Sequence, residues 1–237
     1  MKEYIKMSIN ASIMIFIHRF AFDTLVLLSG LISKETLAAN VIIQQVYVAL
    51  SIRLFYGFSD ATCTIIGNQI GENNVKLAWK NFKVILIFNV IVNGGIALIL
   101  FFEKETFTHL FVKDQPEVSG LLLEIFPILA ATFAGNLGCF FGVIFALGVP
   151  QYAVIPTFIS QYAVLVPASA LLAFKFDLGL HGLCIGGLVG VYVIIFTYLL
   201  IVMCINWQEI ADGAQKRIER DTIETSYEAI EEFDEEE

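Results

Sequence analysis

The sequence predicts an all-α membrane protein of six transmembrane helices. Of its 237 residues, 57% are hydrophobic and the mean hydropathy is +0.77, above the ~45–50% apolar content of soluble domains. Six apolar runs, about 4–32, 37–70, 79–102, 117–147, 153–174 and 178–207, each reach the ~20 residues that cross a bilayer as a helix. Short connections join them, so one helical membrane domain over 1–207 is expected, with an acidic tail over 208–237. A β-barrel would need shorter, alternating segments, and none is visible.

The first run carries His18, Arg19 and Asp23. Arg19 and Asp23 are four apart and share a helix face; His18 points about 100° away from Arg19. Two readings fit equally: a protonatable or cation-binding centre near mid-bilayer, or a structural ion pair beside a hydrogen-bonded histidine. The second run is too polar for an inert anchor, with Gln44, Gln45, Arg53, Asp60, Thr62, Thr64, Asn68 and Gln69. Polar groups within hydrocarbon are costly unless they face protein or a wet cavity. Arg53 and Asp60, seven apart, lie on nearly one face, and Gln45 falls about 60° from Asp60 on a regular helix. That face either lines a cavity or makes interhelical hydrogen bonds.

Asn89 and Asn93 in the third run and Asn136 in the fourth read more as packing groups than as ligands. Pro127, Pro156 and Pro167 fall inside runs and are expected to kink them. Gly138 and Gly142, then Gly182, Gly186 and Gly190, form small-residue ladders that let membrane helices approach closely. Beyond Trp207, Ile210, Ala214 and Ile218 have the spacing of a short amphipathic surface helix.

Residues 207–237 hold twelve acidic and three basic side chains, which accounts for the whole net charge of −9. The rest is balanced, without a basic footprint for nucleic acid. Lys2, Lys6, Lys76, Lys80, Lys83, Lys216, Arg217 and Arg220 fall on the side of both termini, against Lys34, Lys104, Lys113 and Lys175 opposite. This bias puts both termini in the cytoplasm, with Trp79 and Trp207 at one interface. The N-terminal apolar run exceeds the ~7–15 residues of a signal-peptide core. Cys63, Cys139, Cys184 and Cys204 lack zinc-type spacing and read as small core residues. No P-loop, HExxH, GxSxG or dinucleotide glycine pattern occurs, so neither an enzyme nor a cofactor is expected. His109 and His181 are expected in loops, facing solvent.

LAAN followed by GFSDATCTIIGNQIGENNVKLAWK resembles the second helix of the C-terminal lobe of multidrug and toxic compound extrusion (MATE) transporters. FAFDTLVLLSGLIS, HLFVKDQPEV with PILA, GVIFALGVPQ, and GLHGLCIGGLVG with INWQEIA are similar to further segments of that lobe, in the family's order, over nearly the whole chain. The resemblance is closest to the eukaryotic branch. It implies one six-helix lobe of a twelve-helix transporter, the other lobe being absent from this sequence or supplied by a second half. The opening residues Met1 to Lys6 are similar to the segment that enters the lobe.

The resemblance also implies export of small organic solutes or xenobiotics in exchange for protons across a plasma, vacuolar or vesicle membrane. Where the family's first helix of this lobe carries two acids, Asp23 keeps the second and His18 replaces the first. Asp23 and His18 are thus the expected proton-coupling site, and Gln45, Asp60 and Asn136 the expected substrate-cavity residues. The expected partners are a small-molecule substrate, protons, the bilayer and a complementary lobe. Two alternatives remain open: a degenerate lobe kept as a non-transporting interaction module, and a flippase for lipid-linked substrates.

Overall fold

The computed structural model describes residues 2–112 and 115–216, and these contain helices and no strand. The first span is α1 (Lys2–Gly30). The second joins α2 (Lys34–Val46) to α3 (Arg53–Gly71) through a wide π-helical stretch, Tyr47–Ile52. The third is α4 (Val75–Phe102). A short α5 (Lys104–Phe111) leads to the fourth span, which is split into α6 (Pro116–Ala134) and α7 (Gly138–Ala146). The fifth runs from α8 (Gln151–Phe158) through π-helical Ile159–Leu165, α9 (Val166–Ala170) and π-helical Leu171–Lys175. The sixth is α10 (Gly179–Cys204). Residues 207–216 form a last helix, α11. Six of these runs are long and apolar enough to cross a bilayer.

Local chemistry sets the helix starts. Ser33 caps α2 by accepting the Thr36 N–H at 3.0 Å, with Glu35 in the positive first turn. Asn74 caps α4 through the Leu77 N–H at 3.1 Å. Pro116 opens α6, where its missing N–H costs nothing. Pro156 and Pro167 flank the π-helical part of the fifth span. Pro167 cannot donate to the preceding turn and its ring crowds the carbonyl four residues back, which accounts for the wider turn before it. The fourth span breaks at residues 135–137, whereas Pro127 sits inside an uninterrupted α6.

The broken span is the centre of the bundle: 72% of its apolar window is buried, against 22–33% for the other five. α6 packs on α2, α4 and α10, while α7 packs on α3. The outward sides of α1, α4 and α10 expose Phe16, Ile87, Phe88, Ile91, Phe102 and Phe196, as lipid-facing surfaces do. Gly138 and Gly142 face α3 so closely that a β-carbon would strike the Phe55 and Ser59 carbonyls respectively. In α10, Gly186 meets the backbone of Ser169 in the same manner.

The turn between α3 and α4 is pinned to α11. Gln208 Nε2 donates to Asn73 Oδ1 and Asp212 Oδ1, both at 2.9 Å. Trp207 is buried, stacks on Trp79 at 4.3 Å and donates from Nε1 to the Val202 carbonyl at 3.0 Å. Both indoles therefore sit at one end of the bundle. Ala211 is fully buried and Ile210 packs inward, so this side of α11 faces protein. Ile218 of the expected surface helix, Lys113 and residues 217–237 of the acidic tail lie outside the described residues. His109 and His181 are on α5 and α10, not in loops, because the third connection is itself helical and α10 begins before residue 181. His109 is exposed; His181 Nε2 lies 3.1 Å from Glu124 Oε2.

Asn73 adopts φ +56°, a left-handed conformation that costs a side chain with a branched or apolar β-carbon about 1–2 kcal/mol. Asn73→Ala is expected to lower the stability of the detergent-purified chain by that amount, and Asn73→Gly by clearly less. Equal thermal midpoints for the two variants would show that the backbone term is absent.

Candidate functional site

Four spans enclose a small, mostly apolar cavity that a few polar side chains enter. Ile15 and His18 come from α1, Tyr47, Phe55 and Tyr56 from the second span, and Phe141 from α7, beside Asn136 and Leu137 at the helix break. Val191, Ile194, Ile195 and Tyr198 of α10 close it. Its volume is about 20 Å³, room for one water. The His18 ring lies nearly parallel to Phe55 (centroids 6.4 Å apart, 11°) and edge-on to Phe22 at 5.4 Å. His18 Nδ1 stands 2.9 Å from Gln161 Nε2. Thr157 Oγ1 donates to the Ala153 carbonyl at 2.6 Å, so its 2.9 Å bond with Tyr198 requires the phenol to donate. The Tyr198 oxygen is then an acceptor toward the cavity.

The break beside Asn136 is held by side chains from α4. Asn93 donates from Nδ2 to the Asn136 carbonyl at 3.0 Å and to its own helix at Asn89 O, also 3.0 Å. Asn89 Oδ1 accepts the Cys139 N–H at 3.3 Å. A broken helix frees backbone groups that hydrocarbon cannot solvate, and neighbouring polar side chains take them up. This explains two asparagines one turn apart on an otherwise apolar span.

A second cavity of about 40 Å³ adjoins the first and shares Tyr47 as a wall. Asn40, Gln44, Thr132 and Cys184 supply its polar and thiol groups. Asn40 Nδ2 donates to the Leu25 carbonyl at 3.2 Å, tying α2 to α1.

The residues expected from sequence divide into two sets. His18 and Asn136 meet at the first cavity. Asp23, Gln45 and Asp60 do not; all three are exposed, as are Arg19 and Arg53. No ion pair joins Arg19 to Asp23 among the described residues. Arg19 and Asp60 both lie within electrostatic reach of Tyr56 at the mouth between α1 and α3. Gln45 and Asp60 are separated by the π-helical stretch, which interrupts the regular 100° step used to relate them. Arg53 borders an open apolar groove of about 450 Å³ between α3 and α4. Sequence reasoning did not single out Gln161, Tyr56 or Tyr198. An amide within an apolar span is a signal that could have marked Gln161; a tyrosine there is too ordinary to mark anything. Among the described residues no group of histidine, cysteine and carboxylate side chains is arranged to hold a metal.

A family model described as MatE matches residues 11–170, more than half of the chain. The chain belongs to the MatE family. Protein DETOXIFICATION 16 of Arabidopsis thaliana is 29% identical over 222 residues, which are 91% of this chain and 45% of that protein. Multidrug and toxin extrusion protein 2 of Mus musculus is 26% identical over 220 residues, 91% of this chain and 38% of that one. The crystal structure of the eukaryotic MATE transporter AtDTX14 superposes with a TM-score of 0.82 at 25% identity, covering 92% of this chain and 49% of that one. The present chain thus spans under half the length of each of these MatE relatives. It has the all-α, six-span architecture that the sequence predicted.

Proposed function

We propose that this chain is one lobe of a secondary active transporter that exports small organic solutes or xenobiotics in exchange for protons. His18 is its half-buried proton site and Asp23 its exposed one. The observation that carries this reading is the cavity where an imidazole from α1 meets a broken helix, Asn136 and an acceptor phenol oxygen, with room for one water. Histidine is the side chain whose ordinary titration falls nearest neutral pH, and interrupted helices at mid-membrane depth suit alternating access. The names of the mouse and Arabidopsis relatives support export as the direction of transport.

Arg19, Asp23, Gln45, Arg53 and Asp60 are exposed on spans that are otherwise apolar. Such groups demand protein or water rather than lipid. In this reading a complementary lobe covers them, and Gln45 and Asp60 contact substrate between the lobes, while Asn136 serves the inner cavity. The bias of lysine and arginine supports cytoplasmic termini and a cytoplasmic tail over 208–237. The Trp79–Trp207 stack marks that same end of the bundle.

The test is flux in proteoliposomes holding the purified chain, with a fluorescent organic cation, an organic anion and a neutral dye. An imposed pH gradient is expected to drive at least one of them. His18→Gln and Asp23→Asn are each expected to cut that flux by about fivefold or more, the lower range of coupling between two ligand sites. Unchanged flux in Asp23→Asn removes Asp23 from the mechanism. No carboxylate lines the inner cavity among the described residues, which favours a second reading as a non-transporting interaction module. Absence of flux with all three probes, together with a stable co-purifying membrane partner, would support it.

A further inference from the structure

Gln161 holds a polar atom that nothing in this state of the protein uses. The residue is fully buried, its Nε2 is 2.9 Å from His18 Nδ1, and its Oε1 has no hydrogen-bond partner. A buried acceptor without a donor is costly, and its presence calls for an explanation. His18 offers one. A neutral ring with a bare Nδ1 takes a hydrogen from the amide nitrogen, whereas a charged ring bears hydrogens on both nitrogens and needs two acceptors. Half a turn about the last torsion of Gln161 places Oε1 where Nε2 stood. Tyr198 donates its hydrogen to Thr157, and its oxygen lines the same cavity as the ring, a cavity with room for one water. A charged ring would then have Gln161 Oε1 as acceptor for its Nδ1–H and the Tyr198 oxygen in the same cavity as its other N–H.

We propose that Gln161 is the positioning residue of His18 and reverses its amide when the ring takes up a proton, the unpaired oxygen being the acceptor reserved for the charged state. This deepens, and rests on, the reading of His18 as the proton site. The proton that comes and goes is then the one on Nδ1, between ring and amide. The other charged or titratable groups about the ring are few. Arg19 and, one turn on, exposed Asp23 lie on α1 itself. Tyr47 and Tyr56 face it from the second span and Tyr198 from α10. The fifth span, against which α1 packs, carries Tyr152, which is exposed, and Tyr162, which stacks on Phe158. α2 contributes Lys34 and Glu35 only at its far end.

The experiment is ¹⁵N NMR of the imidazole in lipid nanodiscs, on the full chain carrying His109→Gln and His181→Gln so that His18 alone reports. The neutral ring is expected to lack hydrogen on Nδ1. Gln161→Leu removes both partners and disfavours the charged ring; Gln161→Glu supplies a permanent acceptor and favours it. The titration midpoint is expected to move by about half a pH unit or more in the leucine variant, and by more than about one unit the opposite way in the glutamate variant. A hydrogen on Nδ1 in the neutral form, or one midpoint shared by all variants, would overturn the proposal. If the leucine variant does not fold, the tautomer of the parent ring and the glutamate variant still decide. Should the midpoint move while the pH profile of dye flux stays put, His18 is not the coupling group, and its pairing with Gln161 stands.

Discussion

Gly142→Val is expected to prevent α7 from seating on α3. A β-carbon at residue 142 would strike the Ser59 carbonyl and lie 2.8 Å from the Thr62 β-carbon. Backbone has no rotamer with which to retreat, so the helices must part. Membrane helices associate through close packing rather than through a hydrophobic drive, so separating this pair forfeits much of what holds it. The cost is about 3 kcal/mol or more, the upper range for overpacking. Gly94 is the control: a β-carbon there meets nothing within 4 Å, and Gly94→Ala is expected to be neutral or stabilising by up to about 1 kcal/mol through helix propensity. Thermal unfolding in detergent, read by loss of the monodisperse chromatographic peak, distinguishes the two. Equal losses would mean that α3 and α7 are not in contact as described.

Asn93→Leu is expected to destabilise the chain by about 1–3 kcal/mol, the cost of removing a donor from a buried carbonyl. The carbonyl is that of Asn136, at the break in the central helix. Asn89→Leu should cost less, because its bond to the Cys139 N–H is longer, at 3.3 Å. Asn93→Asp separates hydrogen bonding from volume. It keeps the shape but brings a second acceptor against the two carbonyls that Asn93 now serves, so it should be at least as damaging as leucine. Milder behaviour of aspartate would show that the site needs bulk rather than donors. Unfolding by graded addition of denaturing detergent gives the ranking.

The helices were legible because each span is a long apolar run that needs no tertiary information. The glycine ladders were legible for a similar reason: Gly138, Gly142 and Gly186 sit at helical spacing, and the structure sets them against neighbouring backbone. The break at residues 135–137 was not: of the three prolines expected to kink their helices, Pro127, Pro156 and Pro167, only Pro127 lies in this span, and it leaves α6 uninterrupted. The side chains that make the break affordable are Asn89 and Asn93, about forty-five residues upstream, and sequence periodicity has no access to such a pairing. His18 and Asn136 stood out as polar groups in apolar spans, yet their meeting depends on how four spans pack. The relation drawn between Gln45 and Asp60 assumed a regular helix, and the π-helical stretch between them changes the phase. It is Gln44 that turns toward an inner cavity.

Tyr47 stands between two chambers of about 20 and 40 Å³. Even joined by a swing of that ring, they would hold a few waters, far short of the ~300–1,000 Å³ in which proteins enclose organic ligands. In the transport proposed above, size alone then assigns separate routes to separate passengers. In that reading the interior of the bundle takes up protons and water, and bulky cargo travels along the outside of it. Selectivity among cargoes would then be a property of the exterior formed by α1 and α3, and could diverge without disturbing the narrow chambers behind it.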